Sequence, residues 1–159
     1  SDKVIFPGVG EASSAMAYLK GKQMDKVITG LTQPVLGICL GMQLMCSYSE
    51  ENNTDCLGIF DKVVVRRFNS KQGSQKIPQI GWNTIFDLKS PIFKDVQEKS
   101  YCYYVHSYYA SLSPFTVATT DYIVPYAASI QNRNFFGVQF HPEKSAGTGE
   151  QILMKFLNL

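Results

Sequence analysis

Histidine is almost missing from the 159-residue sequence, with His106 and His141 the whole supply. A histidine-rich metal centre therefore has no ligands to draw on. The four cysteines, Cys39, Cys46, Cys56 and Cys102, contain no C-x-x-C pair to make up the deficit, so neither a metal nor another cofactor is expected. Nor do they read as a disulfide framework, since a chain of this length with 45% hydrophobic residues can bury a core without staples. Reduced thiols follow, with Cys46, Cys56 and Cys102 read as structural and room left for one chemical cysteine. Clustered charge is missing too. The formal net charge is +2, and Lys and Arg are scattered among the acids, so the basic footprint of a nucleic-acid binder is absent and a small polar ligand or a protein partner is expected. No apolar run approaches a membrane span, and no basic, hydrophobic, small-residue leader opens the chain. A soluble, cytoplasmic protein is the expectation. Repeats, low-complexity tracts and linkers are lacking as well, so residues 1–159 read as one domain.

What is present begins with a strand, a tight turn and a helix, twice over. Residues 4–6 form a short apolar run broken by Pro7-Gly8-Val9-Gly10, and residues 12–20 and 24–31 then read as helical. Residues 35–39 are a second apolar run, after which Gly41 opens a segment, 42–49, that suits a helix packed on a sheet. This order favours parallel pairing. From Ile59 the texture turns β-rich, with runs at 62–68, 80–86, 101–109, 116–120, 127–131 and 135–140, and a largely antiparallel or mixed second half is expected. Thr148 is positioned to cap a last helix over 151–157. The fold class predicted is α/β, an open, mixed, mostly parallel sheet flanked by helices. Because Ser1 lies just before a strand that already leads into a glycine turn, further N-terminal residues are expected to precede it.

The strongest chemical signal is Gly37-Ile38-Cys39-Leu40-Gly41, a cysteine version of the nucleophile elbow, in which glycines let a strand turn sharply into a helix. Such a turn exposes the thiol, and a helix N-terminus favours its thiolate. A buried structural cysteine beside two incidental glycines is the bland alternative. The second signal is His141-Pro142-Glu143, where extended backbone would point His141 and Glu143 the same way and let the carboxylate orient the imidazole. The third is the Pro7-Gly8-Val9-Gly10 turn, whose backbone could present an N–H to a developing oxyanion; an ordinary turn or a phosphate loop would look similar.

Together these residues resemble the class I glutamine amidotransferases, from about Val4 to the C-terminus, through PGVG, GICLGMQ and HPEKS in that order. The resemblance implies Cys39 as nucleophile, His141 as acid and base, and Glu143 as its orienting partner. It implies an oxyanion hole from the N–H groups of Leu40 and of Val9 or Gly10, with Gly8, Gln43, Ser107 and Tyr108 as glutamine-binding positions. Met42, the stretch Ile77-Pro78-Gln79-Ile80-Gly81-Trp82-Asn83 and Tyr104-Val105-His106-Ser107-Tyr108 are nearest to the branch that serves histidine biosynthesis. That branch passes ammonia to a cyclase subunit with a (β/α)8 barrel, so a heterodimer is implied. Trp82 reads equally as an interface or a core tryptophan, and Lys144 as a partner contact or a solvated lysine. Tyr101, Tyr103 and Tyr104 read as packing residues. The family begins with a further strand, helix and strand, in line with the N-terminal expectation above. Another ammonia-using synthase, a stand-alone γ-glutamyl hydrolase and a non-catalytic binding subunit remain the alternatives.

Overall fold

The structure, a computed structural model, describes residues 1–69 and 75–159. Strand β1 (Val4–Gly8) runs into helix α1 (Ala12–Gly21), whose Ala12, Met16 and Leu19, spaced one helical turn apart, are the buried stripe. A short helix α2 (Met24–Thr29) leads to β2 (Val35–Cys39), which is buried along its length and ends at helix α3 (Leu40–Leu44). There the structure departs from the sequence expectation of a helix over 42–49. The Met45 N–H bonds back to Met42, the helix stops, and β3 (Cys46–Ser49) leaves to pair in parallel with β5 (Phe60–Arg67) and antiparallel with β4 (Thr54–Asp55).

The second half is β-rich as expected: β6 (Gln79–Ile85), β7 (Ser100–His106), β8 (Tyr108–Ala110), β9 (Thr116–Tyr122), β10 (Val124–Asn132) and β11 (Phe135–Val138). The expected run 101–109 is interrupted at Ser107, so that β7 pairs with β6 in a separate two-stranded sheet while β8 joins the main one. The main sheet runs β1-β2-β11-β10-β8-β5-β3-β4, with β9 on β10. It is mixed, as predicted, but parallel pairing is confined to β1 with β2, β2 with β11, and β3 with β5. The rest is antiparallel: β3 with β4, β9 with β10 and β10 with β11 are joined by hairpin connections too short for a crossover, while β5 meets β8 only after β6 and β7 have intervened. Helix α4 (Ala146–Leu157) starts earlier than expected, so Thr148 lies inside it and Ser145 takes the cap position. Its Ile152 and Phe156, one turn apart, bury against the core that Phe136 and Phe140 share. Among the described residues no helix is long and apolar enough to cross a membrane.

This arrangement brings two chain turns to one edge. Gly8, the last residue of β1, stands in register with Cys39, the last residue of β2. At the carboxyl ends of parallel strands such turns open on the same crevice.

Candidate active site

Cys39 occupies a sharp elbow, with φ 55° and ψ −112°, a conformation that costs a side-chain-bearing residue about 1–3 kcal/mol and persists only where the surroundings enforce it. The enforcement comes from Gly41 and β1. A Cβ on Gly41 would lie 1.9 Å from the Phe6 carbonyl oxygen, so only glycine lets the start of α3 sit this close to β1. The thiol itself is partly covered: Sγ lies 3.8 Å from the Val105 carbonyl and accepts from the Gln139 side-chain amide at 3.6 Å. Burial pushes the Cys39 thiol up to about 11, the Leu40 N–H pulls it back, Glu143 raises it further, and Gln139 and Lys144 oppose. The thiolate expected from a helix N-terminus is therefore not the resting species. A five-residue helix offers a weak dipole, and desolvation outweighs it.

His141 is buried, and Glu143 sits beside it with Oε1 2.6 Å from Nδ1, the contact the tripeptide predicted. The backbone that makes it is different. Residues Pro142–Lys144 form a 3-10 turn rather than extended chain, with proline at its first position, where a missing N–H costs nothing. The turn is pinned to β7, since the His141 N–H bonds to the Tyr103 carbonyl at 2.9 Å. Ser145 adds a second pin, donating to the His141 carbonyl at 2.6 Å and accepting from the Tyr103 N–H at 2.9 Å.

A cavity of about 430 Å³ gathers Gly8, Val9, Gly10, Cys39, Leu40, Gln43, Ser107, Tyr108, His141 and Lys144 in one wall. Glu143 stands outside it, behind the imidazole, and lines a neighbouring apolar recess with Ile38 and Leu153. Gly10 has φ +108°, which its sequence position between a strand and a helix requires of a glycine. Gln43 is buried, and both hydrogens of its amide are committed, to the Tyr108 carbonyl at 2.9 Å and to Gln139 at 2.8 Å, so what it can still offer a ligand is a carbonyl oxygen. The Tyr108 carbonyl also accepts from His106 Nδ1 at 2.7 Å. Burial pushes His106 down to about 4, so it is a neutral fixture of the 107–108 corner.

Trp82 does not reach the cavity, and the core alternative is overturned: it is 53% exposed and stands edge-on to Tyr103 at 5.8 Å. Tyr101 is exposed as well, against the packing expectation, while Tyr104 is fully buried. Lys144 is exposed at the cavity's rim. Cys46 and Cys102 are buried.

Two residues of the site escaped the sequence reading. Gln139, fully buried, links Cys39 to Gln43, and a polar residue inside the apolar run Phe135 to Phe140 was the available signal. Glu51, at the β3–β4 turn, is the carboxylate among the cavity's lining residues, and nothing in its local sequence marked it.

A thiol on a strained elbow, facing the same space as a carboxylate-held imidazole, defines a cysteine-dependent hydrolase or transferase on an α/β sheet. The sequence pattern of the family described as glutamine amidotransferase class-I matches residues 2–159, and the chain belongs to that family. It is 56% identical over its full length to imidazole glycerol phosphate synthase subunit HisH of Bacteroides fragilis, covering 81% of that protein. It is 46% identical over 99% of its length to the same subunit of Shewanella sediminis, covering 73% of it. A glutamine amidotransferase crystal structure from Thermotoga maritima matches with a TM-score of 0.64 at 21% identity, over 99% of this chain and 63% of that one, a likeness of fold.

Proposed function

We propose that the chain is the glutaminase subunit of imidazole glycerol phosphate synthase, hydrolysing glutamine to glutamate and passing the ammonia to a cyclase subunit. The observation that carries the reading is the single cavity shared by the Gly8 turn, Cys39, Gln43, the Ser107–Tyr108 corner and His141, segments far apart in sequence. The identity with the Bacteroides fragilis subunit supports the particular synthase.

Because the Cys39 proton is held at neutral pH, attack needs a base. Glu143 on Nδ1 leaves Nε2 of His141 to take that proton as Sγ bonds to the side-chain carboxamide carbon. The N–H groups of Leu40 and of Val9 or Gly10 stabilise the oxyanion. Collapse expels ammonia, which carries away the proton from His141, and leaves a γ-glutamyl thioester. Water, deprotonated by the same histidine, attacks the thioester carbon; glutamate departs and Sγ regains its proton. Ser107 and Tyr108 hold the substrate carboxylate end, and Glu51 receives its ammonium.

Ammonia let into neutral water would be protonated and lose its nucleophilicity, so a partner must seal the cavity. The exposed face of the β6–β7 sheet suits it. Ile80 pairs with Val105 and Trp82 with Tyr103 there, a surface of large apolar groups continuous with the cavity through Val105. Lys144 flanks it. The partner is a cyclase with a (β/α)8 barrel, the assembly is a heterodimer, and the compartment is the cytoplasm.

The test is glutamate release by the chain alone and with the cyclase subunit carrying its nucleotide ligand. Stimulation of at least about tenfold is expected, because the cavity is open and the one side chain of the turn at residues 8–10, Val9, is exposed and does not anchor it. Full activity alone would mean an independent hydrolase instead. A second expectation concerns acidity. Burial raises the Glu51 carboxyl above the ordinary carboxylate value, the Ala12 N–H opposes, and Glu11 adds to the rise. Protonation therefore removes its charge at a higher pH than for a free glutamate, and the KM for glutamine rises as the solution is made acidic. Glu51→Gln flattens that rise; an unchanged profile in the variant would take Glu51 out of substrate binding.

A further inference from the structure

Glu11 ends the glycine turn of residues 8–10 and caps α1. Its carboxylate accepts the N–H groups of Ser13 and Ser14, each at 2.9 Å, and the Ser14 hydroxyl at 2.7 Å. Shorter side chains lead at helix caps, and a glutamate has more freedom to lose in doing the same work. Here the extra length has a use. The Asn52 side-chain amide donates to the Glu11 oxygen that also takes the Ser13 N–H. Next to it, Glu51 accepts the Ala12 N–H at 2.6 Å. Two hydrogen bonds running in opposite directions thus tie residues 11–12 to residues 51–52 across the cavity's edge.

The tie joins two firm supports. Asn52 and Asn53 have φ of 54° and 47°, left-handed values that asparagine tolerates. Asn53 is held by the Tyr48 hydroxyl at 2.7 Å, and the Glu51 carbonyl by the Thr54 hydroxyl at 2.8 Å. On the other side α1 begins at once. The hydrogen bonds from Ser13, Asn52 and Ser14 hold the Glu11 carboxyl well below the usual carboxylate range, so it stays an acceptor at working pH.

We propose that Glu11 and Asn52 are positioning residues that bracket Glu51 against the oxyanion turn, so that the ammonium of glutamine, on reaching Glu51, fixes the turn at the substrate's other end. This rests on the glutaminase reading above. One oxygen of Glu51 holds Ala12, and the second is left for the ammonium. Only Glu11 separates Ala12 from Gly10, so restraining the Ala12 N–H restrains the N–H groups of Val9 and Gly10. Recognition of the α-amino group is thereby expressed in the chemical step as well as in binding.

The bracket can be cut without unfolding its supports. Asn52→Gly removes the amide at a φ that glycine accepts, and Glu11→Ser keeps a helix cap too short to reach Asn52. Cys39 alkylation is measured in the complex with the liganded cyclase subunit, using two reagents. One is a diazoketone analogue of glutamine that keeps its ammonium and carboxylate; the other is iodoacetamide, which has neither. Each variant is expected to slow the diazoketone about tenfold and leave iodoacetamide within about twofold, and the double variant to lose no more than the worse single one. Equal slowing of both reagents, additive losses or unchanged diazoketone rates would overturn the bracket. Wild-type Cys39 that resists the diazoketone would overturn the glutaminase reading itself, and the bracket with it.

Discussion

Cys39→Ala is expected to abolish glutamate release, by on the order of a thousandfold or more, while glutamine binding stays measurable by calorimetry. The two outcomes separate because the groups proposed to hold the substrate are not the group proposed to attack it. Glu51, Gln43 and the Ser107–Tyr108 corner keep their places when Sγ is removed, since their partners are one another, Ala12, His106 and Gln139, and of these partners Gln139 alone gives up a long contact to the sulfur. The elbow keeps its φ of 55°, which alanine finds as uncomfortable as cysteine does. Cys39→Gly, equally inactive, is therefore expected to melt higher than Cys39→Ala, by the few degrees that about 1 kcal/mol of relieved strain provides in a domain of this size. Substantial residual turnover in either variant would remove Cys39 as the nucleophile. A loss of binding together with turnover would mean that the cavity had collapsed.

The chemistry of this site was more legible in the sequence than its geometry. Gly37-Ile38-Cys39-Leu40-Gly41 announced an elbow because glycine spacing is a local constraint, and His141 with Glu143 announced a pair because two residues suffice to place them together. What failed was whatever depends on distant chain. The helix expected over 42–49 stops at Leu44 because Cys46 and Tyr48 find pairing partners in Phe60 and Val64, and an apolar run carries no trace of that competition. The thiolate expectation failed for the same reason: Val105, from another strand, covers the sulfur, and the sequence around Cys39 cannot report it. Trp82 was ambiguous because β6 belongs to a two-stranded sheet whose outer face lies open. Glu51 was invisible, since a glutamate in a polar turn reads as solvated until the fold brings Ala12 to it.

Gly41→Ala is the substitution expected to do most harm without touching a chemical group. A Cβ there meets the Phe6 carbonyl oxygen at 1.9 Å, far inside contact distance, and the obstacle is backbone that cannot rotate away. Phe6 is paired with Gly37 in the ladder that also sets Gly8 opposite Cys39. Relief therefore requires either β1 to part from β2 or α3 to lift, and both carry the Gly8 turn, the proposed oxyanion donor, away from the elbow. Overpacking of this kind costs about 1–3 kcal/mol and sometimes more, which for this size of domain is roughly 2–4 °C of Tm per kcal/mol. The rate should suffer further, because an oxyanion donor displaced by about 1 Å can cost a hundredfold. Gly147→Ala is the matched control: it lies in α4, nothing stands within 4 Å of its Cβ, and its φ is an ordinary one, so stability and rate are expected to hold. Thermal melts and glutamate release in the cyclase complex decide between them. If Gly41→Ala melted and turned over like Gly147→Ala, β1 would not be seated against the elbow, and the Gly8 turn would have no claim on the oxyanion.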